Sequence, residues 1–243
     1  MADAAHPGDR LYFRQLLAGV DFAEDDLVAQ QMVNFAYLIG DRRSAECVVV
    51  DPAYRVRELL ALAEADGMRV VGALATHYHP DHIGGSMAGF SIEGATELLE
   101  VTQVPIHVQS AEAEWVLKST GLQRSDLAEH DPGDVVKVGE VDIELLHTPG
   151  HTPGSQCFLV DGKLVAGDTL FLQGCGRTDL PGGDSEALYH SLTTVLAKVP
   201  DDAVLFPGHL YSPQPSAQMG ETRRSNMVFR PRSAAEWVRV FGS

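Results

Sequence analysis

The stretch A-T-H-Y-H-P-D-H-I-G-G, residues 75–85, places His77, His79, Asp81 and His82 within six consecutive positions, directly behind an apolar run. His77 and His79 stand two apart, so an extended backbone turns both to one face, where they can hold one ion. Pro80 forces a turn, and Asp81 and His82 beyond it are placed to face a second ion. Four metal-competent side chains at this spacing read as a metal site rather than as separate surface groups.

Working outward, F-A-Y-L-I-G-D (35–41) and C-V-V-V-D-P (47–52) read as two strands of a hairpin around D-R-R-S. Residues 56–67 carry apolar side chains at helical spacing and end on Gly67, and R-V-V-G-A-L-A-T (69–76) is a short buried strand. The histidine loop therefore sits at the C-terminal end of a strand. Residues 86–103 mix two glycines with a short helical pattern and read as a surface insertion available as a lid. The second half repeats the alternation: strands at 104–108, 141–147, 155–160, 163–168 and 203–206, with helices at 111–118 and 186–199. Two sheet-plus-helix halves emerge in one domain over residues 1–243. Residues 1–30, with D-F-A-E-D-D, read as an N-terminal arm that is either solvated or engaged in homodimer contacts, and residues 212–243 as a short C-terminal extension.

Four further places resemble the opening stretch in kind, with polar groups after strands beside glycine or proline: T-P-G-H-T-P-G-S with His151, A-G-D-T-L-F with Asp168, F-P-G-H-L-Y with His209, and the loop G-C-G-R-T-D-L-P-G-G-D (174–184). Loops at strand ends can converge while the sheets behind them stay rigid. The expected arrangement is His77, His79 and His151 around one ion, Asp81, His82 and His209 around another, and Asp168 between them. Imidazole and carboxylate donors without thiolate suit a catalytic pair of divalent ions, zinc first, with iron or manganese as alternatives. Such a pair lowers the pKa of a bound water from roughly 15.7 to near 7 and supplies hydroxide at neutral pH. Asp81 and Asp168 are the expected catalytic carboxylates.

Composition excludes other classes. A net charge of −16 repels phosphate backbones and anionic lipid surfaces, which argues against nucleic-acid and membrane partners. Cys47, Cys157 and Cys175 are an odd number without paired spacing, which fits a reducing cytoplasm. The N-terminal residues lack the charge-then-apolar order of an export signal, and no run approaches the about 18 apolar residues of a membrane span. His6, His107, His130, His147 and His190 are read as ordinary polar groups, and Arg223, Arg224, Arg230 and Arg232 as a solvated face or subunit contact. Tyr78 is expected to point away from its histidine neighbours into packing, and Cys175, between two glycines, to serve tight backbone packing.

T-H-Y-H-P-D-H followed by His151, Asp168 and His209 resembles the metallo-β-lactamase fold superfamily over about residues 33–230. The resemblance implies an α/β (α+β) fold, a four-layer αββα sandwich with the metals at one edge. G-D-T-L-F-L-Q-G-C-G-R-T-D-L-P-G-G-D is similar to the glyoxalase II branch and, through G-C-G-R-T-D and L-Y-H-S, to the persulfide dioxygenases. Both branches act on small thiol conjugates. Only 34 residues follow His209, so the helical domain with which long glyoxalase II enzymes hold glutathione is not expected. The leading expectation is thioester hydrolysis by a metal-bound hydroxide. The alternative is a persulfide dioxygenase with one Fe(II) held by two histidines and one carboxylate drawn from His77, His79, His151 and Asp168. Lactone or lactam hydrolysis and nuclease action rank below both. Arg177 is the candidate for a substrate carboxylate, with pinning of its own loop through Asp179 or Asp184 as its other reading. Tyr211 is the candidate hydrogen-bonding partner of the substrate.

Overall fold

A computed structural model describes residues 10–242. The strands are β1 (Leu11–Leu17), β2 (Phe35–Asp41), β3 (Glu46–Val50), β4 (Arg69–Leu74), β5 (Gly85–Met87), β6 (Phe90–Ile92), β7 (Ile106–Gln109), β8 (Leu127–His130), β9 (Val135–Val138), β10 (Val141–His147), β11 (Gln156–Val160), β12 (Lys163–Gly167), β13 (Val204–Pro207) and β14 (Ala217–Gln218). The helices are α1 (Leu27–Met32), α2 (Val56–Ala65), α3 (Pro80–Ile83), α4 (Ala95–Val101), α5 (Ala113–Thr120), α6 (Ser185–His190), α7 (Met219–Ser225) and α8 (Ala234–Phe241).

Two six-stranded sheets form, ordered β1-β2-β3-β4-β7-β8 and β14-β13-β12-β11-β10-β9. Successive side chains of a strand point to opposite faces, and β2 shows how that builds layers. Phe35, Tyr37 and Ile39 join Val48 and Val50 of β3, Ile143 and Leu145 of β10 and Phe158 of β11 in a core between the sheets. Ala36 and Leu38 face the other way, into a core shared with Leu59 of α2, Leu98 of α4 and Val116 of α5. On the far side of the second sheet, Leu164 and Ala166 of β12 pack with Leu188 of α6 and Trp237 of α8. The layers run helix, sheet, sheet, helix, the αββα sandwich that the sequence implies.

The hairpin at 35–52 forms as β2 and β3, with Tyr37 opposite Val50 and Asp41 opposite Glu46. Three regions differ from the sequence reading. Residues 11–17, read as part of an arm, form edge strand β1, whose full length pairs antiparallel to β2, with Phe22 and Ala29 buried behind it. An arm reading for residues 1–9 lies outside the described residues. The segment 86–103, read as a surface insertion with a short helical pattern, forms the mostly exposed hairpin β5–β6 and then α4, whose wholly buried Ala95 and Leu98 tie it to the core. The helix expected over 186–199 starts as α6, capped by the Asp184 side chain, but widens at 191–195 and tightens at 196–198. The C-terminal residues fold back on the second sheet, where Trp237 donates its indole N–H to the Val228 carbonyl at 3.0 Å. Among the described residues, no helix is long and apolar enough to cross a membrane.

Candidate metal centre

One edge of the sandwich gathers the polar strand ends. His77 and His79 follow β4, and Pro80 at the first position of α3 starts a single turn that carries Asp81 and His82. His151 lies in the loop between β10 and β11, Asp168 follows β12, and His209 follows β13. All seven expected ligands converge. Their donor atoms fall into three groups, each within 4.8 Å: His77, His79 and His151; Asp81, His82 and His209; and His77, His82 and Asp168. His79 Nδ1 lies 3.0 Å from His151 Nε2, and His82 Nε2 lies 3.2 Å from His209 Nε2. Asp168 stands between the groups: Oδ1 is 3.4 Å from both His82 and His209 Nε2, and Oδ2 is 3.7 Å from His151 Nε2.

The glycines beside these residues permit that approach. A Cβ on Gly208 would fall 2.4 Å from Asp168 Oδ1, and one on Gly176 would fall 2.2 Å from the Asp168 carbonyl oxygen. Cys175, next to Gly176, is half-buried on the wall of the cavity, in keeping with a packing role.

Four of the five imidazoles are held from behind; among the described residues, the ring nitrogens of His79 meet only the His151 ring. His151 Nδ1 donates to the Arg177 carbonyl and His209 Nδ1 to the Met32 carbonyl, both at 2.7 Å. His82 Nδ1 donates to Asp51 Oδ2 at 2.8 Å, and His77 Nδ1 lies 3.0 Å from Thr76 Oγ1, which itself donates to Asp51. In these four rings the partners assign a proton to Nδ1 and turn Nε2 toward the site, the orientation a metal ligand requires. Asn34 donates to Asp81 Oδ2 at 3.1 Å and accepts from the Tyr54 hydroxyl at 2.8 Å.

The electrostatics differ across the site. Burial, reinforced by the neighbouring imidazoles, holds His77 well below the usual histidine range and His79 at about 4. Burial opposes charge on His82 too, but Asp81, Asp168 and Asp51 outweigh it and raise it to about 10. His209 is raised against burial by Asp168. Burial pushes the Asp168 carboxyl up, yet His209 and His82 bring it well below the carboxylate range.

A cation fits this donor set. His77 Nε2, His79 Nε2 and Asp168 Oδ1 are buried without a hydrogen-bonding partner, a costly condition for polar atoms unless another ligand satisfies them. Nitrogen and oxygen donors without sulfur suit zinc, iron or manganese.

The site opens into a cavity of about 700 Å³ whose walls include Met32, Met87, Phe171, Leu180 and Tyr211. Tyr211 stacks on the His209 ring at 4.6 Å and meets Phe171 edge-on. Arg177 reaches the rim, where its guanidinium grips Asp179 at two points, so its loop-pinning reading describes its present contacts. Tyr78 stacks on Trp115 at 5.0 Å and donates to the Pro181 carbonyl, but its ring also meets the His79 imidazole edge-on at 4.6 Å and lines the cavity, so it does not point away from its histidine neighbours as expected. His107 and His130 pair with each other, and His147 meets the Pro153 carbonyl. His6 lies outside the described residues. Arg223 binds Asp201 and the carbonyls of Leu196 and Val199, an intrachain clamp more than a solvated face.

Asp51 and Asn34 were missed from the sequence. Asp51 has a visible signal: V-V-V-D-P ends a strand with an aspartate, as A-G-D does at Asp168. It adopts a left-handed φ of 53°, strained for a non-glycine residue and characteristic of functional sites. Asn34 carries no comparable mark, because its role arises only when β2 lies beside the His209 loop.

Residues 30–209 match the family model of the Metallo-beta-lactamase superfamily. The chain belongs to that superfamily. Human persulfide dioxygenase ETHE1 is 31% identical over 220 residues, spanning 86% of this chain and 76% of that protein. A hydroxyacylglutathione hydrolase from Polaromonas sp. is 36% identical over 182 residues, spanning 73% of this chain and 62% of that protein. The crystal structure of ETHE1 from Myxococcus xanthus superposes with a TM-score of 0.77 at 28% identity, covering 96% of this chain and 90% of that one. Both branches suggested by the sequence are thus among the relatives of this metallo-β-lactamase-fold chain.

Proposed function

We propose that the chain is a persulfide dioxygenase that uses one iron ion to oxidise the terminal sulfur of a small thiol persulfide with molecular oxygen. This reverses the order of the two readings taken from the sequence. The observation that supports it is the likeness to Myxococcus xanthus ETHE1, 28% identical and superposing over 96% of this chain, together with the 31% identity to human persulfide dioxygenase ETHE1. Two histidines and one carboxylate drawn from His77, His79, His151 and Asp168 would hold the iron, which would supply the redox chemistry. The chain's own contribution is placement. The Arg177 and Met32 carbonyls and Thr76 orient His151, His209 and His77, while Phe171 and Tyr211 supply an aromatic wall of the cavity beside His209. At the rim, Arg177 faces a carboxylate of the thiol carrier in exchange for Asp179.

Thioester hydrolysis is the second reading, favoured by one observation: Asp81, His82 and His209 form a further donor group that a single iron does not need. Free thiols at Cys47, Cys157 and Cys175 support a reducing compartment such as the cytoplasm.

Anaerobically purified protein would be analysed for metal and offered glutathione persulfide in an oxygen electrode and S-lactoylglutathione in a thioesterase assay. The expected result is one iron per chain and oxygen uptake with the persulfide alone. Thioester cleavage without oxygen uptake would replace this proposal with the hydrolase.

A further inference from the structure

Glu112 touches none of the seven ligands and takes no part in the reaction proposed above, yet it is 1% exposed. It stands just ahead of α5, on the helical layer of the first sheet. Its Oε1 accepts the Tyr78 amide at 2.8 Å and the Thr152 hydroxyl at 2.7 Å, and its Oε2 accepts the Gly154 amide at 2.6 Å. A Cβ on Gly154 would fall 2.5 Å from the Glu112 Cβ, so a glycine is required for the carboxylate to reach this depth.

The donors reveal what is joined. Tyr78 is the residue between His77 and His79, and Thr152 directly follows His151. The first segment leaves β4 of one sheet, and the second connects β10 to β11 of the other. The strands meet lower down, where the Gln156 amide donates to the Thr76 carbonyl at 2.9 Å and its side chain to the Ala75 carbonyl at 2.8 Å. Glu112 makes its link further out, beside the imidazoles themselves. An isolated buried carboxylate is strongly disfavoured, and three donors on one group are what make it tolerable. Burial still holds its carboxyl at about 7, with Thr152, Tyr78 and Gly154 pulling it down.

We propose that Glu112 is a positioning residue for the first donor group: its carboxylate clamps the His77–His79 segment of one sheet to the His151 loop of the other and sets the separation of the three imidazoles. Asp81, His82 and His209 are braced instead by Asp51, Asn34 and the Met32 carbonyl. The effect of losing Glu112 is therefore selective, and this selectivity separates positioning from a general role in folding. The inference rests on the metal-centre reading but not on which reaction the centre performs.

The test is zinc binding, measured with a competing chromophoric chelator on metal-free protein. A His209→Ala background weakens the second donor group and reports on the first; a His79→Ala background does the reverse. Glu112→Gln is expected to raise the zinc dissociation constant of the first group by about 10- to 100-fold, the range seen when outer partners of ligands are lost, and to leave the second within about threefold. Thr152→Val, which keeps the carboxylate and both amide donors, is expected to give a smaller and equally selective loss, and it serves as the test if Glu112→Gln does not fold. Unchanged affinity of the first group in the folded variant overturns the inference. So does an equal loss in both groups that follows a drop in melting temperature. If neither the wild-type protein nor either single-histidine variant takes up zinc, the metal-centre reading falls and this inference with it.

Discussion

The two halves of the sandwich deliver their ligands in opposite ways. The first sheet supplies His77, His79, Asp81 and His82 from one short loop, whereas the second supplies His151, Asp168 and His209 from three strand ends far apart in the chain. The compact loop depends on braces: Asp51 alone receives the Thr76 amide, the Thr76 hydroxyl and His82 Nδ1. The dispersed ends depend on space, with Gly208 and Gly176 letting Asp168 and its neighbours close in. Ligands that are adjacent in sequence thus need a buried side-chain scaffold to aim them, and ligands distant in sequence need close-approach glycines together with carbonyl braces on His151 and His209.

Substitutions on the two sides test this contrast. Asp168→Asn on the dispersed side should have the largest effect, because its oxygens approach His82, His209 and His151 at 3.4 to 3.7 Å and serve both donor groups. Turnover and metal retention should each fall by more than the about 100-fold typical of outer partners. Metal analysis beside the activity assays checks this, and near-normal metal content would remove Asp168 from its central place. Asp51→Ala on the compact side should come next. It strands the Thr76 amide and frees the His82 ring, which predicts a loss of about 2 kcal/mol in stability and about 10- to 100-fold in metal affinity. Denaturant melts and chelator competition would measure both, and unchanged affinity would mean that the loop aims its ligands unaided.

The smallest effect concerns the first sheet away from the site, where His107 Nδ1 and His130 Nε2 lie 2.8 Å apart across β7 and β8 and Asp134 approaches His130 from beyond. Burial and then His130 depress His107 to about 4. Its folded pKa lies below the unfolded value of about 6.5, so its contribution is present above pH 6.5 and is lost as pH falls toward 4. His107→Gln should flatten the decline of melting temperature across that window; an unaltered slope would place the acid-sensitive group elsewhere.

Much of the fold was legible because alternation along strands and 3.6-residue spacing along helices are local patterns. The β2–β3 hairpin and α2 illustrate this. β1 was not recognised, since L-Y-F-R-Q-L-L interrupts its apolar residues with Arg14 and Gln15 and becomes a strand by pairing with β2. Residues 86–103 were legible in part: their short helical pattern becomes α4, while the burial of Ala95 and Leu98 against the core depends on packing that local spacing does not reveal. At the site, residue type and spacing marked all seven donors, while the residues that hold those donors were hidden. Asn34, Thr76 and Glu112 are common polar residues whose importance depends on what lies opposite them.

The amino-acid sequence by itself determined which side chains can bind a cation and in what order along the chain they are offered, because donor chemistry belongs to residue type and its spacing to covalent geometry. The tertiary structure decided how those donors divide into groups, which ring nitrogen each presents and which buried carboxylates hold them. Those properties depend on contacts between segments of different sheets, and such contacts exist only once the two sheets have packed.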